Sequence, residues 1–298
     1  MDSTINQPKK IDISPKKNIN NNQNIPTFGL CGKRAISKFL IANSLTINIY
    51  YMHKICTIIP VYNEASRLDV DAYESYISAN KNHFIIFVND GSTDDSLRIL
   101  TDLSNTNPEK IFIINIKNNS GKAEAIRQGA LWADGMLETD FFGYIDADLA
   151  TPLEEIEHIC SHFENPKTQI AFGSRIKYYG SNIERYMTRH YFGRVFATYS
   201  SIMLNLEIYD TQCGAKYFRK TDDIISIFKE AFLSKWFFDI ELFLRYRSKN
   251  GESKFEESVK EIPLNTWIEK GNSKLKVSDF LRTPFEIIKI RNKYIKTV

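Results

Sequence analysis

Between residues 55 and 172, short β-branched and aromatic runs alternate with amphipathic stretches, and this alternation limits the fold more than any other feature of the chain. Runs at 55–60, 84–88, 111–116, 141–145 and 170–172 read as strands. The stretches at 66–80, after Ser92, at 122–134 and at 152–163 read as helices. Strand–helix repeats of this length predict a parallel, doubly wound α/β sheet with helices on both faces. Ser92 is expected to cap the second helix, with Asp94 and Asp95 favoured in its first turn. Pro152 is expected to open the fourth helix. The remainder, from about 180 to 298, is less regular, with helices at 182–204 and 238–250 and strand-like pieces at 216–219 and 260–267.

In a doubly wound sheet, ligands gather at the carboxyl ends of the strands. Those ends carry Tyr62-Asn63-Glu64, Asp90-Gly91-Ser92 and Asp146-Ala147-Asp148. Two carboxylates spaced as Asp146 and Asp148 suit a hard divalent cation, which can also hold diphosphate oxygens. The other reading is that Asp146 ends a strand and Asp148 caps the next helix; an Asp-x-Asp alone does not choose between them. Asp90 could accept hydrogen bonds from a base or ribose, with Gly91 permitting close approach, yet ordinary turn chemistry accounts for it as well. Lys122 opens a helix, where its positive charge opposes the dipole, and that misfit favours a ligand-binding role.

The chain has 298 residues, of which 43% are hydrophobic, enough for one substantial core. A net charge of +3 does not argue for nucleic-acid binding. Four cysteines without CxxC spacing read as reduced thiols of a cytosolic protein. No apolar run is long enough to predict a spanning helix. Residues 1–51 read as a disordered or non-native extension, since six Asn fall in the first 27 positions and the apolar stretch after 39 is broken by Asn43, Ser44, Thr46 and Asn48. On this reading the functional domain spans 52–298.

Taken in order, Ile58-Ile59-Pro60-Val61-Tyr62-Asn63-Glu64, then Val88-Asn89-Asp90-Gly91-Ser92-Thr93-Asp94-Asp95-Ser96, then Asn119-Ser120-Gly121-Lys122, then Asp146-Ala147-Asp148 resemble the signature of family 2 glycosyltransferases with the GT-A fold. The resemblance covers about 54–290. Gly173-Ser174-Arg175, Asp210-Thr211-Gln212-Cys213-Gly214, Trp236-Phe237-Phe238-Asp239-Ile240-Glu241 and Trp267 with Gly271-Asn272-Ser273-Lys274 resemble the dolichyl-phosphate β-glucosyltransferase branch of the polyprenyl-phosphate glycosyltransferases. Mannose-type relatives place a metal-serving Gln after the acidic turn; here the position is Ala150, which weakens any three-ligand metal site. The resemblance implies a doubly wound, mostly parallel sheet with a nucleotide-binding half at about 54–175 and a helical acceptor-side half at about 176–298. It implies that Pro60, Tyr62, Glu64, Asp90 and Lys122 line the nucleoside pocket. Asp146 would lie beside the ribose and diphosphate, Asp148 would be the main ligand of Mg²⁺ or Mn²⁺, and Arg175 and Arg189 would bind a lipid-phosphate acceptor.

The residues add to this. Arg175, Lys177, Arg185, Arg189 and Arg194 face one acid, Glu184, over 175–194. Arg185 and Arg189 are i,i+4 neighbours that repel unless an anion bridges them, and the guanidinium fork suits phosphate; a solvated basic face is the plainer alternative. Asp239, Glu241 and Lys274 complete the acceptor-side candidates. A phosphate acceptor arrives ionised, so Asp239 and Glu241 are expected to position groups; with a hydroxyl acceptor, one of them becomes the base. Residues 270–298 hold eight Lys or Arg against two acids, interleaved with apolar side chains. They suit either an anionic membrane surface or a helix packed on the core. The expectation is therefore an inverting hexosyltransferase moving glucose from UDP-glucose to a dolichyl or other polyprenyl phosphate. It would be cytoplasmic, peripheral on the membrane directly or through a membrane partner protein, and without a nucleic-acid partner. The alternatives are a family 2 enzyme extending a glycan on a sugar or protein hydroxyl, and a sugar-phosphate nucleotidyltransferase. The latter calls for a Gly-rich phosphate loop that Tyr62-Asn63-Glu64-Ala65 does not provide.

Overall fold

The computed structural model describes residues 53–184, 198, 201, 205, 207–270 and 277–295. Its strands are β1 (Ile55–Val61), β2 (His83–Asp90), β3 (Ile111–Ile116), β4 (Phe141–Tyr144), β5 (Ile170–Ser174), β6 (Asn182–Glu184), β7 (Lys216–Arg219), β8 (Val259–Pro263) and β9 (Thr266–Ile268). Seven of them form one sheet in the order β3-β2-β1-β4-β7-β5-β8. Within it β7 runs antiparallel to both β4 and β5, and the remaining pairs are parallel. A four-residue strand carries no sequence mark of its direction, so the reversed β7 was not foreseeable from 216–219.

The central strands are buried along nearly their whole length, as expected for a sheet covered on both faces. One face packs α1 (Val70–Ala79), α2 (Ser96–Thr106) and α4 (Glu155–Cys160), through residues such as Tyr73, Leu100 and Ile156. The other packs α3 (Lys122–Met136), α6 (Phe238–Asn250) and α8 (Val277–Tyr294), through Ile126, Phe243, Ile287 and Ile290. Two short α-helices, α5 (Asp222–Ser226) and α7 (Glu252–Ser258), and a 3-10 turn at Ser161–Glu164 directly after α4 are also present.

Several local expectations are corrected. Residues 182–184 are not helical: they form β6, paired in parallel with β9, and 185–197 lie outside the described residues. The run at 260–267 is two strands in different sheets, separated at Leu264-Asn265. Glu155 fixes this break by accepting from the backbone N–H groups of Asn265 (3.2 Å) and Thr266 (2.8 Å). Helix α1 begins at Val70, not at 66, because Asp69 is the residue that caps it, accepting from Ala72 N at 3.1 Å. Ser92 lies ahead of α2 and serves a neighbouring loop; Asp94 accepts from Ser96 N (3.0 Å) at the start of the helix. Pro152 sits in a turn before α4.

Candidate active site

The Asp146–Asp148 turn leaves β4 at the carboxyl edge of the sheet, and the chain holds its backbone from several sides. Leu149 N donates to Asp146 O (3.2 Å), and Ala150 N donates to the Asp148 Oδ1 (3.1 Å). Leu149 takes a left-handed conformation, φ 52°, to close this turn. From α1, the buried Tyr73 hydroxyl donates to Ala147 O (3.1 Å). From β9, Ile268 N donates to Ala150 O (2.9 Å). The turn is therefore clamped largely through main-chain atoms, with Asp148 Oδ1 the one carboxylate oxygen drawn into the clamp.

Lys122, the first residue of α3, places its Nζ 2.5 Å from Asp146 Oδ1. Burial penalises the Lys122 ammonium, but Asp146 and Asp239 outweigh that and hold its pKa above the ordinary value. Burial, and then the Asp146 charge, push the Asp148 carboxyl above the ordinary carboxylate range. Such a pair carries surplus negative charge in a partly desolvated place, and oxygen donors of this kind fit Mg²⁺ or Mn²⁺. Among the described residues no group of three or more His, Cys, Asp or Glu converges as a metal cage. The turn thus offers two carboxylates as oxygen donors.

A second layer surrounds this turn. Asp90, at the end of β2, accepts from Ser120 N and Gly121 N, both at 2.7 Å. One carboxylate so holds the loop that delivers Lys122. The same loop passes so close over Gly91 that an added Cβ would meet Asn119 N at 2.6 Å; with φ at 68°, the position takes glycine for two reasons. The loop after β1 is stitched to the loop after β2: Asn63 N donates to Ser92 Oγ (3.0 Å), and Asn63 Oδ1 accepts from Thr93 N (2.8 Å). Glu64 N donates to Ser96 Oγ (2.9 Å), while the Glu64 carboxylate forks with Arg67. Pro60 pairs with Val88 at the end of β1, and Tyr62 just beyond it is exposed.

Beyond β5 the arrangement is tighter. Arg175 follows β5 and makes a bidentate pair with Asp210, both contacts at 2.7 Å, and its guanidinium lies over the Trp267 ring. Burial works against the Arg175 charge, but Asp210 more than compensates and raises its pKa. Asp239, near the start of α6, meets the fully buried Lys216 Nζ at 2.7 Å and accepts from the Tyr144 hydroxyl. Glu241 sits two residues on, which on a helix is the opposite face. There it accepts from Leu233 N (2.7 Å), Tyr294 (2.9 Å) and Arg245 (2.8 Å).

The fold therefore gathers Asp90, Lys122, Asp146 and Asp148 along one sheet edge, with Pro60, Tyr62 and Glu64 at the adjoining strand end. Asp239 stands behind them, against Tyr144, while Glu241 is turned toward α8. Arg185, Arg189 and Lys274 lie outside the described residues. Sequence reasoning passed over Asn63, Tyr73 and Lys216. Asn63 and Tyr73 hold the acidic turns by backbone contacts that no spacing announces, and Lys216 looks like any strand-end lysine until its partner on α6 is known.

The family model "Glycosyl transferase family 2" matches residues 56–224. A dolichyl-phosphate beta-glucosyltransferase of Trichomonas vaginalis is 30% identical over 246 residues, covering 78% of this chain and 69% of that protein. The dolichyl-phosphate beta-glucosyltransferase of Saccharomyces cerevisiae is 29% identical, covering 80% of this chain and 74% of its own length. Among solved structures, glucosyl-3-phosphoglycerate synthase from Mycobacterium tuberculosis, in complex with Mn²⁺, UDP-glucose and phosphoglyceric acid, superposes with a TM-score of 0.58 at 12% identity. That match covers 81% of this chain and 79% of the other, and at such identity it shows a shared GT-A fold.

Proposed function

The chain belongs to glycosyl transferase family 2, and we propose that it transfers glucose from UDP-glucose to dolichyl phosphate with inversion at the anomeric carbon. The observation that carries the acceptor class is the state of the two acceptor-side carboxylates. Asp239 faces Lys216 and Tyr144, and Glu241 faces Arg245 and Tyr294. Neither is placed to take a proton from a hydroxyl nucleophile, which fits an acceptor that arrives as an anion.

In the proposed reaction a phosphate oxygen of the lipid attacks the anomeric carbon, the bond from that carbon to the donor's β-phosphate oxygen breaks, and its electron pair leaves with UDP. No proton need move. Asp148, assisted by Asp146, would hold Mg²⁺ or Mn²⁺, whose charge offsets that of the departing diphosphate. Lys122 sits where its ammonium can turn from Asp146 to a diphosphate oxygen. Pro60, Tyr62, Glu64 and Asp90 are assigned to the nucleoside side, in a donor half of about 54–175. Arg175, at the boundary of the two halves, and Arg185, Arg189 and Lys274, in the acceptor half of about 176–298, are assigned to the acceptor phosphate.

We also place the protein peripherally on the cytoplasmic face of a membrane. No helix among the described residues is long and apolar enough to cross one. Helix α8 buries Ile287 and Ile290 but turns Phe285 and Ile288 outward beside the exposed Lys289. An apolar and basic face of this kind suits an anionic lipid surface. The test of the reaction is incubation with radiolabelled nucleotide sugars and polyprenyl phosphates, followed by organic extraction. Label from UDP-glucose in the lipid fraction is expected; no label from any donor would overturn the reading.

A further inference from the structure

Gly214 follows Asp210 on the strap that leads into β7, and its backbone is not among the positive-φ glycines of the described residues. Conformational freedom therefore does not explain a glycine there. Space does: an added Cβ would lie 2.0 Å from Asp146 Oδ2 and 2.7 Å from Asp146 Cγ. The Asp146 carboxylate rests directly on the Gly214 α-carbon, while its other oxygen meets Lys122 Nζ at 2.5 Å. The strap beneath is fixed in turn. Lys216 Nζ donates to Cys213 O (2.6 Å) and pairs with Asp239 (2.7 Å), both partners being buried. Asp210, at the strap's start, is locked to Arg175. A buried ion pair is a costly way to gain stability but a good way to fix one geometry.

We infer that Gly214 is a positioning residue for Asp146, so that a strap anchored on the acceptor side sets the aim of a donor-side carboxylate. The inference rests on the proposed donor role of Asp146, and the experiment separates the two. Gly214→Ala, Asp146→Ala and the double variant are compared with the wild type by thermal unfolding in chelator and by calorimetric titration of UDP with Mn²⁺. Gly214→Ala should lower Tm and weaken UDP binding about tenfold. In the Asp146→Ala background the same change should leave both quantities nearly unaltered, because the colliding carboxylate is gone. A Gly214→Ala protein that does not fold while the double variant does would also support the coupling. Equal losses in both backgrounds, no loss in either, or failure of both variants to fold would overturn it. A wild type that binds no UDP would overturn the donor reading and leave the Tm coupling to judge Gly214.

Discussion

Asp148 is held by the fold in a state its own charge opposes, because burial and the nearby Asp146 both favour the protonated carboxyl. The sign of the consequence follows from linkage. A carboxyl whose folded pKa is raised binds its proton more readily in the native state, so stability is lost as pH rises above the ordinary Asp value. Asp148→Asn keeps an acceptor for Ala150 N and removes that conflict. In chelator at pH 7.5 it should raise Tm, with the gain vanishing below about pH 4, while transfer falls by about a hundredfold or more. A lower Tm at neutral pH would show that the native state favours the charged form. Arg175 presents the opposite case: its Nε and Nη2 both go to Asp210, so Arg175→Ala takes the charged partner from a buried carboxylate and leaves it the backbone N–H of residue 175 (3.1 Å). A loss on the order of 3 kcal/mol is expected in denaturant unfolding. A loss below about 1 kcal/mol would mean that Asp210 is satisfied without Arg175.

At the level of elements, the strands and the acidic turns that end them were readable from the chain, because apolar runs of five or six residues and the turn residues after them are strong local signals. The bounds of 216–219 and 238–250 match β7 and α6. What escaped was set by partners distant in sequence. β6 is three residues long and exists through its pairing with β9, so nothing local could separate it from a helix. Asn63 likewise reads as a turn residue, yet its role is to join two loops across the edge of the sheet, at a φ of 51°. Two substitutions divide that role. Asn63→Ala loses the contacts with Thr93 and strains the left-handed backbone, at a cost on the order of 2 kcal/mol. Asn63→Gly loses the same contacts without the strain and should recover about 1 kcal/mol of it. Equal costs in chemical denaturation would remove the backbone argument.

The molecule as a whole places a second set of conflicted groups away from the edge that carries the acidic turns, where β2 begins and α4 passes beneath the sheet. Tyr76 donates to Glu157 Oε1 (3.1 Å) and lies 2.5 Å from His83 Nδ1. Burial, and then Lys110, lower the His83 pKa from 6.5 to about 4, so stability is lost as pH falls through that interval. Burial raises Glu157 from 4.5 to about 7 despite the Tyr76 hydrogen bond, so there stability is lost as pH rises. Between pH 4.5 and 6.5 the two slopes oppose each other, and their sum should be nearly flat. Removing one group exposes the other. Glu157→Gln retains an acceptor for Tyr76 but cannot ionise, so at pH 8 it should exceed the wild type by on the order of 1–3 kcal/mol. The advantage should shrink on acidification and disappear below about pH 4.5, leaving the variant with the rising profile of a lone buried histidine. Unfolding curves collected across that range decide the matter: a constant offset between the two proteins would mean that Glu157 does not titrate against the fold.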